Sequence, residues 1–259
     1  MTRETPPVSD ATTEEGAISG NRWEGETHLG LMVVGCPGDP ARIGEVALLP
    51  EGRRFILSRG SEVADQLTFG RLRPGLWEAG GPWTLRQMSR RQLSVWADSG
   101  SVRVEQLGRG ELRVAGQPTL VGRAQVGDLV AVDRHLLLRC VARPSTLPIP
   151  KLFPRALIPG YALADVGGFV GESPDAWKLR DAAALAAAQS NPVVVIGEPG
   201  YGRRALARLI LALRKPDGCV VWDAGAQIEA HALESLFGSL EHAGALAGAA
   251  RGTLWISHA

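Results

Sequence analysis

The 259-residue chain has few of the features that mark several protein classes. Its three cysteines, Cys36, Cys140 and Cys219, are odd in number and far apart, which excludes a disulfide scaffold and favours a reducing compartment. Neither they nor the histidines have metal-ligand spacing, so we predict no metal site. The N-terminal stretch has no apolar segment long enough for a signal peptide or a membrane anchor. We therefore expect a cytoplasmic protein without a membrane partner.

The charge is nearly balanced, with 28 Lys and Arg against 27 Asp and Glu. A net charge of +1 predicts no strong electrostatic attraction to nucleic acid. Because the sequence also has no helix-turn-helix pattern and no basic stripe, we expect no direct DNA binding.

Four segments differ in composition. Residues 1–26 are polar and are expected to be disordered. Residues 27–143 contain short apolar runs of period two between turn residues, which is typical of a β sandwich. Residues 144–164 are proline-rich and predict an inter-domain linker. Residues 165–259 alternate helical and strand patterns, which indicates a parallel α/β sheet.

The predicted fold class is α+β and multidomain, with an all-β sandwich followed by a partial P-loop α/β domain. In the sandwich we expect strands around 31–34, 55–57, 93–95, 102–104, 112–114, 129–132 and 136–141. In the second domain Ser173 and Pro174 predict the start of a helix. After it we expect a buried strand over Val193–Ile196, a helix over 203–214, a strand over 219–222, a helical stretch over 228–250 and a strand over 253–256.

Two basic sites lie in loops of the predicted sandwich. Ser58-Arg59-Gly60 follows one strand, and Ser89-Arg90-Arg91-Gln92 precedes another. Guanidinium groups and a hydroxyl at a loop edge suit a phosphothreonine, which carries about two negative charges and three acceptor oxygens. The alternative is a solvated loop edge whose charges discourage sheet aggregation.

The order of these sites resembles the forkhead-associated (FHA) domain, with its Gly-Arg, Ser-Arg-x-His and Asn-Gly signatures. The resemblance implies that Arg59 and Ser89 bind the phosphate and that Arg90 and Arg91 support it. Three residues depart from the pattern: Ser58 replaces a glycine, Gln92 the structural histidine and Ala115 the asparagine that orders the bound peptide. We expect phosphate capture to survive and sequence selectivity to weaken. The long segment between Arg59 and Ser89 is expected to cover or reshape the peptide groove.

A glycine-rich loop in the second domain has the spacing of a phosphate-binding loop: Gly197, Gly200, Gly202, Arg203 and Arg204. Arg203 stands where such a loop needs its lysine, and arginine is planar and bulkier. The last strand pattern ends in Ser257-His258, where an ATPase places an acidic pair. We therefore predict no catalytic residues and no bound cofactor. Two interpretations of the loop stay open. Either the glycines serve only the geometry of the turn, or the loop binds ATP or ADP weakly.

The second domain resembles the AAA+ module of sigma-54-dependent transcription activators, through Gly168 to Pro174, the glycine loop, Glu234 to Gly238 and Gly252 to Leu254. The order of the domains resembles FHA-containing activators of myxobacterial type. Together with Arg203, Ser257 and His258 in place of the lysine and the acidic pair, the two resemblances predict a phosphothreonine-reading adaptor that does not hydrolyse ATP, with related activators or kinases as partners. The alternatives are a nucleotide-binding sigma-54 regulator and a decayed structural remnant. A missing central strand would leave an open sheet edge through which the chain associates with itself or a partner.

Overall fold

A computed structural model describes residues 27–61, 63–250 and 252–258, so the segment 1–26 lies outside the described residues. The N-terminal part is a β sandwich. Its strands are β1 (Thr27–Gly35), β2 (Val46–Leu49), β3 (Arg54–Leu57), β4 (Gly70–Arg73), β5 (Leu76–Ala79), β6 (Leu93–Asp98), β7 (Ser101–Gln106), β8 (Leu112–Val114), β9 (Gln117–Pro118), β10 (Val121–Ala124), β11 (Leu129–Val132) and β12 (Leu136–Pro144).

Two sheets form the sandwich. One has the strand order β5-β4-β2-β1-β12-β11-β8-β9 and the other β10-β7-β6-β3. In the central strands inward-facing residues build the core, so that Leu31 and Val33 of β1 meet Val95 of β6 and Leu138 of β12 in one fully buried cluster. All seven predicted apolar runs lie within strands, and the predicted all-β sandwich is confirmed.

The long segment after Arg59 forms the hairpin β4–β5. This hairpin does not extend the sheet that carries Arg59; it pairs with β2 at Val46↔Gly70, at the edge of the other sheet. The hairpin itself therefore lies away from the sheet that carries Arg59, and the expectation that the segment covers or reshapes the peptide groove stays a prediction. Only its first residues, around Val63, line a groove beside the predicted phosphate site. The apolar face of the hairpin decides its placement, because Leu72 is buried against Val46 and Val141.

The proline-rich segment packs against the hairpin. Leu147 is buried, and its carbonyl oxygen accepts a hydrogen bond from the N–H of Gly75 at 2.6 Å. Trp177 fills the same apolar cluster, and Arg73 pairs with Glu172 at 3.0 Å between two largely buried side chains. The hairpin thus joins the sandwich to the segment that follows it.

The second part contains α1 (Pro174–Ala188), α2 (Arg203–Arg214), β13 (Cys219–Asp223), α3 (Glu229–Phe237), α4 (Ala245–Gly248) and β14 (Thr253–Ser257). Helix α1 starts as predicted, since the Ser173 hydroxyl caps it by accepting from the N–H of Ala176 at 3.1 Å. Its buried Arg180 pairs with Asp165 at 2.9 Å. Helix α2 and strands β13 and β14 also lie where the sequence predicts them.

The helical stretch predicted over 228–250 is two short helices. Gly238 has a φ of 92°, outside helical geometry, and it bridges to Ala243. A residue in that conformation ends α3, since the helix cannot continue through a positive φ. Within the described residues no helix combines the length and hydropathy needed to cross a bilayer.

The buried strand predicted at Val193–Ile196 is wrong. These residues form no strand, and the exposed fractions of Val194 and Ile196 are 80% and 88%. A buried parallel strand needs hydrogen-bonded neighbours. Strands β13 and β14 pair with each other in parallel register, from Cys219↔Thr253 to Asp223↔Ser257, and form a separate two-stranded sheet. The described part of the chain thus contains a small parallel sheet, without the strand that would lead into a P-loop.

Candidate functional site

The two basic loops of the sandwich lie side by side. The N–H of Arg59 donates to the carbonyl oxygen of Ser89 at 3.1 Å, which joins the loop after β3 to the loop before β6. The Ser89 hydroxyl oxygen accepts from the N–H of Arg109 at 3.2 Å, which adds the loop after β7. A hydroxyl can still donate its own hydrogen while it accepts, so Ser89 can donate to a bound oxyanion.

Gln92 holds these loops in place. Its side chain is buried, accepts from the N–H of Ser89 at 2.8 Å and donates to the carbonyl oxygen of Arg109 at 2.9 Å. Its backbone N–H donates to Leu57 at 2.8 Å, at the end of β3. The Gln92 side chain therefore fixes two of the three loops to each other. A structural role is what the FHA pattern predicts at this position, where it has a histidine.

Trp83 anchors the Arg59 loop to the core. The carbonyl oxygen of Trp83 accepts from the N–H of Gly60 at 2.8 Å. Its ring is 1% exposed, packs edge-on to Phe69 and lies 3.8 Å from the Arg42 guanidinium carbon. The backbone beside Arg59 is thus held by a rigid aromatic residue.

Arginines gather at this end of the sandwich. Arg59 is partly buried and donates from Nη1 to the carbonyl oxygen of Arg86 at 3.2 Å, whereas Arg86, Arg90, Arg91 and Arg109 are exposed. Within the described ranges none of these five guanidinium groups forms an ion pair with a carboxylate. Unpaired cations on adjacent loops give this surface a positive potential suited to an anion.

The sequence interpretation missed Arg86 and Arg109. Both lie in turns with no motif of their own, and only the hydrogen bonds to Arg59 and Ser89 bring them to the site. A signal was present for Arg109, because Gly108-Arg109-Gly110 lies in the turn that follows a predicted strand.

Two departures from the FHA pattern have visible structural effects. The Ser58 hydroxyl is buried, and no hydrogen-bond partner for it lies within the described residues, so it faces the core and not the loop surface. Ala115 and Gly116 form the turn between β8 and β9, with φ values of 50° and 82°. Alanine is disfavoured in this left-handed region, where asparagine is well tolerated. The turn keeps the expected geometry without the expected amide.

The glycine loop has the predicted turn, but no strand of the described structure leads into it. Gly200 and Gly202 have φ values of 86° and 83°, and Gly202 directly precedes the first residue of α2, Arg203. Arg203 and Arg204 are both exposed, and a Cβ added at Gly197 would lie 3.4 Å from Cγ of Arg203. The left-handed backbone by itself favours glycine at these two turn positions.

A His-Asp pair links the ends of the two parallel strands. His258 Nδ1 lies 2.7 Å from Asp223 Oδ1, and His258 Nε2 lies 3.4 Å from Arg204 Nη2. The hydrogen bond from His258, the largest influence, holds the pKa of Asp223 below its usual value. No group of three or more His, Cys, Asp or Glu side chains among the described residues could hold a metal ion.

The sandwich is similar to several solved FHA domains. The FHA domain of the CT664 protein from Chlamydia trachomatis is 20% identical, covers 44% of this chain and 96% of its own, and has a TM-score of 0.33. A second FHA domain, from a structural and functional analysis of phosphothreonine-dependent FHA domain interactions, is 18% identical to this chain. The match covers 45% of this chain and 98% of that domain, with a TM-score of 0.31. The FhaA FHA domain complexed with the intracellular domain of Rv3910 is 18% identical over 43% and 98%, with a TM-score of 0.29.

No model of a known protein family matches the chain, and no curated protein matches it. Identities of 20% or less and TM-scores of 0.33 or less do not assign the chain to a family. The function is therefore inferred from the geometry of the site.

Proposed function

We propose that the sandwich is an FHA-type domain that binds phosphothreonine peptides, and that the chain acts as a signalling adaptor. The observation that carries the proposal is the direct hydrogen bond between the Arg59 and Ser89 backbones, which puts the two predicted phosphate-binding residues on adjacent loops. Loops on opposite walls of the sandwich would have excluded a shared phosphate.

The chemistry of the site fits a dianion. A phosphothreonine at pH 7 carries close to two negative charges and three acceptor oxygens. Arg59, the Ser89 hydroxyl and the unpaired arginines beside them supply charged and neutral donors from three loops. Because Ala115 has no amide to bond the peptide backbone, we expect the phosphate to contribute more of the affinity than the sequence around it.

Titration with phosphothreonine peptides tests the proposal. The wild-type chain should bind a phosphorylated peptide and not its unphosphorylated form. Arg59→Ala should weaken binding by at least about tenfold, since hydrogen bonds to charged groups contribute about 1.5–3 kcal/mol each. Arg123→Ala is the matched control, because Arg123 is an exposed arginine whose guanidinium donates to Ser101 and Ser99, in the turn at the far end of β6 from Ser89. Equal binding by wild type and Arg59→Ala would overturn the proposal.

We further propose that the second part is related to the AAA+ module of sigma-54-dependent activators, is cytoplasmic and does not hydrolyse ATP. The sequence resemblance supports the relationship. The absence of hydrolysis is supported by Ser257-His258 in place of an acidic pair, and by the engagement of His258 with Asp223. Related activators or kinases would then be its partners, and the exposed apolar residues at 193–196 would be a point of association.

Weak nucleotide binding is the second candidate for this part. The left-handed glycines before α2 favour it, because they present backbone N–H groups at a helix start. A steady ATPase rate that disappears in Arg203→Ala would overturn the non-hydrolysing assignment. A folded sample that binds neither nucleotide nor phosphopeptide would instead support a structural remnant.

A further inference from the structure

An open groove of about 650 Å³ lies beside the loop cluster, on the outer face of the sheet that contains β3, β6 and β7. Its lining combines the apolar residues Ile56, Val63 and Leu107 with the charged residues Arg54, Asp65, Arg91 and Glu105. The wall around Val63 belongs to the segment inserted between Arg59 and Ser89. The groove therefore depends on the same insertion that separates the two phosphate-site residues in the sequence.

The groove is continuous with the phosphate site. Leu107 lines the groove, and the next residue, Gly108, touches the site: a Cβ added there would lie 2.6 Å from the Ser89 side chain and 2.9 Å from the Arg91 carbonyl oxygen. The N–H groups of Leu107 and Gly108 both donate to the carbonyl oxygen of Gln92 at 3.0 Å. A peptide whose phosphate lies at Ser89 is therefore within reach of the groove along one side of its chain.

Among the described residues that line the groove, Arg91 is the cation that has no ion-pair partner. The Arg54 guanidinium is already paired with Glu105 at 3.2 Å and lies 3.8 Å from the centre of the Trp96 ring. Asp65, at the rim, is paired with Arg53 at 3.0 Å. Within the described residues Arg91 forms no ion pair, so its guanidinium can donate hydrogen bonds to a carboxylate of a ligand.

We propose that this groove binds the residues that flank the phosphothreonine, and that it selects one apolar side chain and one neighbouring carboxylate. The apolar side chain packs against Ile56, Val63 and Leu107, and the carboxylate pairs with Arg91. This inference rests on the proposed phosphothreonine binding. It assigns Arg91 to ligand selection, whereas Arg59 and Ser89 bind the phosphate itself.

The experiment uses the full chain and a peptide library with a fixed phosphothreonine and three randomised positions on each side. Peptides retained by the wild-type chain should be enriched in an acidic residue and an apolar residue on the same side of the phosphothreonine. Individual peptides with and without each preferred residue then give affinities by fluorescence anisotropy.

Matched variants separate the two contacts. Arg91→Ala should remove a preference of about threefold for the acidic residue, the size expected of an exposed ion pair. Arg90→Ala, with the same charge loss in the same loop, should keep it, since Arg90 does not line the groove. Val63→Ser should remove a preference of about threefold for the apolar residue through lost apolar contact. Val126→Ser, in the exposed turn before β11, should not.

The outcomes distinguish this inference from the proposed function. If Arg59→Ala abolishes binding while Arg91→Ala and Val63→Ser leave both preferences unchanged, phosphothreonine binding stands and the groove assignment is wrong. If no phosphorylated peptide is retained, both are wrong. If Arg91→Ala and Arg90→Ala weaken all peptides equally, the charge acts on the phosphate and the assignment of Arg91 to selection is refuted.

Discussion

Gln92 offers the sharpest test of how the site is built. Replacing it by methionine keeps nearly the same volume in the buried position but removes both side-chain hydrogen bonds. Those bonds run to the N–H of Ser89 at 2.8 Å and to the carbonyl oxygen of Arg109 at 2.9 Å. Gln92→Met therefore isolates the polar contribution of one side chain to the geometry of the loops.

The expected loss follows from the two contacts. Each neutral hydrogen bond contributes about 1 kcal/mol, and a donor or acceptor left unsatisfied in a buried position costs about 1–3 kcal/mol. Both contacts are only partly shielded from water, so water can replace part of what is lost. We expect the free energy of unfolding to fall by about 2–3 kcal/mol. The affinity for a phosphothreonine peptide should fall as well, because Ser89 and Arg109 lose their common support.

Urea unfolding measures the stability, and anisotropy measures the affinity. Gln117→Met makes the same chemical change at an exposed position of β9 and should alter the free energy of unfolding by less than about 0.5 kcal/mol. Gln92→His, which restores the residue of the FHA pattern, should lose less stability than Gln92→Met. If Gln92→Met matches the control in both measurements, Gln92 does not hold the loops and the account of the site is wrong.

Three further results are expected. Ala115→Asn should raise the free energy of unfolding by about 0.5 kcal/mol, because asparagine tolerates a positive φ better than alanine, and Ala115→Val should lower it by about 1 kcal/mol, because a β-branched residue tolerates it worse. Urea unfolding of both variants would show the opposite order if the turn were not left-handed. At pH 8 a thiol reagent should label one cysteine, the exposed Cys219, since Cys36 and Cys140 are buried and burial raises the pKa of both thiols, that of Cys140 to about 11. Labelling of a Cys219→Ser variant under native conditions would contradict this. Carbon-detected NMR should find the pKa of Asp223 below its ordinary value. The contact with His258 then stabilises the fold above the ordinary pKa of an aspartate, and this stabilisation is lost as the pH falls through the lowered pKa. If the pKa of Asp223 is the same in His258→Ala, the hydrogen bond from His258 does not lower it.

The sandwich was largely predictable because its apolar residues alternate. A period of two, interrupted by turn residues, places β1, β6, β7 and β12 correctly without any knowledge of their partners. Strands β2, β4 and β10 were missed, although β3, β8 and β11 are no longer than these and were predicted. The strand conformation of such short segments depends on hydrogen bonds to neighbouring strands as well as on their own residues.

In the second part of the chain, by contrast, the composition of one segment predicted a strand that the described structure does not contain. Val193-Val194-Val195-Ile196 has the composition of a buried strand, yet in the described structure it pairs with no strand and every residue of it except the partly buried Val195 is exposed. Composition predicts what a segment prefers, but a strand exists only where another backbone satisfies its N–H and C=O groups. Helix α2 was placed correctly because its hydrogen bonds are internal and its start depends on the adjacent Gly202.

By themselves, the residues of this chain determined which segments alternate, where two helices begin and which loops carry Arg59 and Ser89. Only the tertiary structure decided that those loops touch, that Gln92 holds them, that Arg109 joins them and that the inserted hairpin pairs with the opposite sheet. The physical reason is the separation along the sequence over which each kind of interaction acts. Periodicity and capping act between residues a few positions apart, whereas a site built from three loops depends on contacts between backbones distant in sequence.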